Sequence, residues 1–275
     1  LGVYITYRVL DIADLTVEGS FPLGAAVAAS MLSAGYGPIP SFVVAAIAGM
    51  VAGVVTALLH TKMKIPALLA GILTMIALYS VNLRVMGKAN LSLLGTDTTF
   101  SIIRKMLSLN SAYTTLVVGL LATVLVAVFI YWFFGTEIGA AIRATGFNQQ
   151  MIRAQGVDTD VTIMIGLLLS NALVAISGAL VAQSNGFADV GMGTGTIVIG
   201  LASVIIGEVL FGTRSFKNSI ISVILGSVVY RIVIAVVLQM GMPPNDLKLF
   251  TSILVAFALA MPLIKSKFGS KKVVG

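Results

Sequence analysis

The chain contains no cysteine and a single histidine, His60. The first absence excludes a disulfide framework and any thiolate metal site; the second leaves no histidine cluster for a metal. Charge is also scarce. Asp, Glu, Lys and Arg make up 10% of the 275 residues, against about a quarter in soluble domains. No G-x-x-x-x-G-K-[ST] phosphate loop occurs, so the chain has no motif that would cradle ATP for hydrolysis. One histidine, no cysteine and no clustered carboxylates leave little to catalyse with, and a membrane enzyme is the least supported reading.

What is present is apolar. Hydrophobic residues account for 58% of the chain and the mean hydropathy is +1.07. They fall in blocks of roughly 17 to 25 residues, the length that crosses about 30 Å of hydrocarbon. The 28 glycines suit closely packed membrane helices. The net charge of +7 invites a nucleic-acid reading, which we reject, because the bases sit in short loops and at the C-terminus, where positive-inside charge belongs. The expected fold class is all-α: a polytopic membrane protein forming a single transmembrane domain over residues 1–275. The chain begins at Leu1 inside an apolar run. The expectation is that part of a first helix precedes it; no signal-peptide pattern is visible.

The apolar runs predict about nine spans. They are 1–12 (the tail of the first helix), 18–34, 38–59, 65–86, 112–134, 161–181, 196–211, 218–240 and 247–264. Gly19, Pro22 and Gly24 interrupt the second. Between 87 and 110, Phe100, Ile103 and Leu107 share one face at helical spacing and predict a short interfacial helix. With the C-terminus inside, Arg8, Lys62, Lys64, Arg143, Arg153, Arg214, Lys217, Lys265, Lys267, Lys271 and Lys272 are cytoplasmic. Arg84, Lys88, Arg104, Lys105 and Lys248 are outside and Arg231 lies within a span; the excess of inner bases favours this orientation and leaves the outer five to be explained.

The most informative segment is the polar stretch 135–160, between two membrane-length runs. Thr136 suits an N-cap with Glu137 in the first turn. Gly146 is expected to end that helix in a left-handed conformation, Asn148 to cap a second and Gly156 to end it. Helices this short are marginal alone and need something to pack against. Either they rest on the bilayer surface or they receive a protein partner. The mixed charge of Arg143 and Arg153 with Glu137, Asp158 and Asp160 favours the partner.

The pattern Gly139-x3-Arg143-Ala144-x-Gly146-x-Asn148, closed by Gly156-Val157, resembles the cytoplasmic coupling region of ATP-binding-cassette importer permeases of the branched-chain amino-acid and ribose type. Asp14-Leu15-Thr16-Val17 followed by Gly19-Ser20 resembles the segment before the second helix of the sugar permeases, although Glu18 interrupts it. Residues 180–212 resemble the Gly-rich loop and helix shared with the vitamin B12 importer permease. The resemblance implies a vitamin-B12-importer-like bundle that pairs with a second copy of itself in the plasma membrane of a prokaryote. It implies two cytoplasmic ATPase subunits, which carry the ATP and Mg²⁺, and an extracytoplasmic solute-binding protein. No cofactor is expected in this chain. Coupling to the ATPase falls to Gly139, Ile142, Arg143, Ala144, Gly146, Asn148, Met151, Ile152, Gly156 and Val157. The outer bases Arg84, Lys88, Arg104, Lys105 and Lys248 would dock the binding protein.

Polar groups at membrane depth are costly and face a bundle interior or a cavity. Glu18, opening a Gly/Pro-interrupted span, marks a translocation pathway with Ser20, Phe21, Asn82 and Asn171. It would meet a substrate amine, or serve as a partner of Arg8 or a helix cap. The function expected is the permease subunit of an ATP-driven importer for a small polar solute, with an aromatic or branched amino acid as the preferred cargo. The alternatives are a sugar or nucleoside cargo, and an ion-coupled secondary transporter in which Glu18 and Glu208 relay protons.

Overall fold

The chain opens with a short helix, α1 (Gly2–Tyr4), which runs on as one π turn over Ile5–Val9 and stops there, short of residue 12. Asp11 follows in a left-handed conformation at φ 54°. Helices α2 (Thr16–Ser33), α3 (Pro38–Thr61) and α4 (Ala67–Met86) come next. Strand β1 (Asn90–Ser92), the short α5 (Thr99–Leu107), the long α6 (Ser111–Phe133), α7 (Glu137–Phe147) and α8 (Gln149–Ala154) lead to α9 (Thr159–Asn185). Strand β2 (Phe187–Asp189) and a 3-10 turn over Val190–Gly193 precede α10 (Thr196–Phe211) and α11 (Phe216–Gln239). This computed structural model describes residues 1–257 and 260, apart from 109, 242, 244, 245 and 248. Part of the expected last span, Lys248, and the bases Lys265, Lys267, Lys271 and Lys272 therefore lie outside the described residues.

Among the described residues, six helical segments are long and apolar enough to cross a membrane: Pro38–Thr61, Ala67–Met86, Ser111–Phe133, Thr159–Asn185, Val190–Phe211 and Phe216–Gln239. The protein is an all-α polytopic membrane protein, with one short two-stranded ribbon added. Two compact units divide it, Gly2–Thr196 and a second that starts at Ile197.

In the first unit, α2 and α3 pack against α9 through small residues. Lipid gives no hydrophobic drive between helices, so close backbone approach supplies the attraction. On α3, Ser41, Ala45, Gly49, Gly53 and Ala57 are buried at a spacing of four. A methyl on Gly49 or Gly53 would run into the backbone of Asn171 or Leu167. A methyl on Gly24 would overlap the carbonyl of Ala175, and one on Gly178 the carbonyl of Phe21. Polar side chains join the same helices. Thr56 Oγ1 of α3 lies 2.7 Å from Thr16 Oγ1 of α2 and donates to Thr74 Oγ1 of α4 at 2.9 Å.

The two ends of α9 carry different structures. At its C-terminal end β2 pairs antiparallel with β1, Leu91 opposite Ala188, where the sequence predicts only a Gly-rich loop. Gln183 of α9 accepts the Thr99 N–H at 2.9 Å and fixes the start of α5, which Thr98 caps. The exposed bases Arg84, Lys88, Arg104 and Lys105 belong to this end, Lys105 paired with Asp97 at 3.0 Å. At the N-terminal end of α9 lie α7 and α8.

The second unit packs α10 on α11. A methyl on Gly207 would overlap the carbonyl of Ser222, and one on Gly226 that of Ser203. Ala202, Tyr230 and Val255 form its buried cluster, and Tyr230 Oη lies 3.1 Å from Thr251 Oγ1.

Candidate functional site

The helix pair α7–α8 is built as its sequence requires at three of four punctuation points. Thr136 accepts the Gly139 N–H at 3.3 Å, Asn148 accepts the Met151 N–H at 3.0 Å, and Gly156 takes a left-handed φ of 87°. Gly146 does not end a helix in a left-handed turn; α7 continues through it to Phe147. The reason for glycine there is contact. A methyl on Gly146 would overlap the carbonyl of Val9, so α7 lies backbone-to-backbone on the end of the first helix.

This contact gives α7 two distinct faces. Gly139, Ile142 and Thr145 are buried, and Thr145 Oγ1 lies 2.8 Å from Thr162 Oγ1 of α9. A methyl on Gly139 would run into the backbone of Phe133 and Phe134. On α8, Ile152 is buried. Arg153 reaches Asp160 at 3.3 Å, and Lys62 at the end of α3 reaches the same carboxylate at 3.4 Å. Ala144 and Val157 are half-buried, while Arg143, Asn148, Met151 and Gly156 are exposed. The outward face also carries a residue the sequence reading passed over. Phe147 is 90% exposed, and Ile138 and Met151 are exposed as well. Its signal in the sequence was an aromatic residue inside a polar turn.

The five residues expected on a pathway fall into two places. Ser20 Oγ donates to Asn171 Oδ1 at 2.7 Å, and Asn171 Nδ2 donates to Asp14 Oδ2 at 2.9 Å. Asp14 Oδ1 accepts the Thr16 N–H at 2.9 Å. This buried chain closes on itself and holds the break between the π turn and α2. The half-buried Phe21 presents its backbone to Gly178. Glu18 and Asn82, by contrast, line a cavity of about 410 Å³ between α2, α4 and the loop after β2. Glu18 Oε1 accepts the Gly195 N–H at 3.0 Å. Pro22, one turn on, removes the amide that would have bonded the Glu18 carbonyl. Asn82 Nδ2 donates to the Gly19 carbonyl at 3.2 Å. Tyr79, Ser80 and Thr194 complete the polar lining and were absent from the sequence expectation. Among the described residues no group of three or more His, Cys, Asp or Glu side chains is placed to hold a metal.

Membrane-length helices joined by polar contacts, with a braced helix pair at one end of α9, make this a polytopic membrane protein. Residues 1–261 match the family described as branched-chain amino acid transport system / permease component, and the chain belongs to it. Over 260 residues it is 40% identical to the tyrosine transport system permease protein of Clostridioides difficile, covering 94% of this chain and 85% of that protein. An uncharacterized protein of Rickettsia prowazekii is 36% identical over 264 residues, covering 94% of this chain and 91% of its own length. The autoinducer 2 import system permease protein of Yersinia pseudotuberculosis is 28% identical over 165 residues, 60% of this chain and 45% of that protein. No solved structure matches. The chain is thus an ATP-binding-cassette-type permease for a small solute, and its family is one of transport permeases.

Proposed function

We propose that two copies of this chain form the translocation pathway of an ATP-driven importer, with α7–α8 as the docking surface for two separate ATPase subunits. Each chain is one permease domain, a bundle of about nine spans like that of the vitamin B12 importer, in the plasma membrane of a prokaryote. The ends of α9 then have opposite partners. The α7–α8 end is cytoplasmic and meets the ATPases, which bind and hydrolyse ATP with Mg²⁺. The β1–α5 end faces a solute-binding protein, steered by Arg84, Lys88, Arg104, Lys105 and Lys248.

The observation that carries this reading is Phe147, 90% exposed at the tip of a helix pair whose other face is braced against α9 and the first helix. An aromatic side chain held in water by a rigid support is what a partner groove takes as an anchor. The bracing supplies the mechanism. Force on the outer face of α7 passes through Gly146 to Val9 and through Thr145 to α9. Both routes lead to the break at Asp14, whose carboxylate holds the start of α2 and Asn171 of α9. ATPase closure therefore moves the elements that line the cavity.

The cargo we favour is an amino acid with an aromatic side chain, supported by the relative named for tyrosine transport. A sugar-like cargo is the alternative, since another relative is named for autoinducer 2 import. The test is co-purification of the ATPase with the full-length permease. Wild type is expected to retain the ATPase, and Phe147→Asp to lose it with an unchanged melting temperature. Full retention by Phe147→Asp would remove α7–α8 as the docking surface.

A further inference from the structure

We propose that the cavity between α2 and α4 is a recognition site for the ammonium group of a primary amine, held by Glu18 and Asn82. This deepens the permease reading and rests on it. Three features of the cavity lead to this ligand class.

The first is that its deep polar groups are acceptors in want of donors. Glu18 is half-buried, and among the described residues its carboxylate accepts one hydrogen bond, from the Gly195 N–H to Oε1. Asn82 is 1% exposed, and its Oδ1 accepts no hydrogen bond among the described residues. A buried acceptor without a donor costs about 1–3 kcal/mol, and a carboxylate at membrane depth costs more. An ammonium group brings three donors and the opposite charge. A neutral polyol brings donors but leaves the carboxylate unneutralised.

The second feature is the sign of the lining. Among the described residues no Lys, Arg or His lines the cavity beside Glu18. The Glu18 carbonyl, deprived of its helical donor by Pro22, points at Gly193, where a methyl would overlap it. The site is therefore negative and built to receive a cation.

The third is size and shape. A volume of about 410 Å³ lies in the range of small-molecule sites. Met75, Ile76 and Tyr79 of α4 give the lining an apolar part beside the polar groups. A molecule with an ammonium group at one end and a ring or branched aliphatic group at the other satisfies both parts. Its own carboxylate, where it has one, finds no cation in the lining and is left facing out of the cavity.

The absence of native cysteine makes the test clean. Ser80→Cys places a single thiol in the lining. In membranes holding the full chain, its modification is timed with cationic 2-aminoethyl methanethiosulfonate and with anionic 2-sulfonatoethyl methanethiosulfonate. The cationic-to-anionic rate ratio is expected to exceed that of a free thiol by roughly tenfold, the factor of one pKa unit of charge preference. Adding Glu18→Gln should return the ratio to the free-thiol value, and adding Asn82→Asp instead should raise it further. L-tyrosine and tyramine should slow the labelling, whereas 3-(4-hydroxyphenyl)propionate, with the same ring and no amine, should not. A free-thiol ratio in both Ser80→Cys and Ser80→Cys/Asn82→Asp, or equal protection by the amine-free compound, would overturn the proposal. Labelling is read on the permease alone, so it stands or falls separately from ATPase docking.

Discussion

Gly146 lies against Val9 so closely that a methyl group in its place would overlap the Val9 carbonyl. This one approach joins the candidate coupling helix to the first helix of the chain. It also separates two properties that neighbouring residues carry: Gly146 seats the helix, and Phe147 faces away from the protein.

Gly146→Ala is therefore expected to destabilise the permease by about 1–3 kcal/mol, the cost of overpacking a tight contact. The backbone of α7 has to lift from Val9, so ATP-driven uptake should fall together with the melting temperature in detergent. Wild-type stability in Gly146→Ala would show that the contact is slack.

The chain Ser20–Asn171–Asp14 predicts a different pattern. Asn171→Leu leaves Ser20 Oγ and Asp14 Oδ2 without their partner, at about 1–3 kcal/mol for each orphaned group. Ser20→Ala alone should cost about 1 kcal/mol, and in the Asn171→Leu background it should restore part of the loss, because it removes the orphaned hydroxyl. Additive losses in the double mutant would mean that the two residues act apart.

Topology is tested by single cysteines. Gln149→Cys, at the start of α8, and Thr96→Cys, between β1 and α5, belong to opposite ends of α9. A membrane-impermeant maleimide applied to intact cells is expected to mark Thr96→Cys and spare Gln149→Cys. Labelling of Gln149→Cys from outside would invert the assignment of partners to the two ends.

The outer bases should matter for rate and little for stability. Lys105 and Asp97 form an exposed pair, worth about 0–1 kcal/mol. Arg84→Glu combined with Arg104→Glu should slow binding-protein association, most at low salt, and leave the melting temperature unchanged. An association rate independent of these charges would exclude them from docking.

The helices were legible in the sequence wherever an apolar run met a clear stop. The run at 196–211 matches α10, and the facing residues Phe100, Ile103 and Leu107 fall within α5. Thr136, Asn148 and Gly156 also did what their chemistry predicts. Gly146 shows what remains hidden. Glycine serves a left-handed turn or a close approach equally well, and only the position of Val9 decides between them. The same holds for the membrane-depth polar residues. Glu18 and Asn171 look alike in sequence, but Asn171 is satisfied by Ser20 and Asp14, while Glu18 opens onto a cavity. The β1–β2 ribbon joins residues far apart in the chain and was too short for alternation to reveal.

The most direct test is uptake into proteoliposomes containing the permease and its ATPase, supplied with the solute-binding protein. Labelled L-tyrosine is the probe, with ATP present or absent on the ATPase side and with no ion gradient imposed. Uptake is expected only with ATP. Phe147→Asp should reduce it at least thirtyfold, roughly what losing a 2 kcal/mol anchor implies. Uptake by the permease without ATP, driven by a proton or sodium gradient and indifferent to Phe147→Asp, would contradict the account.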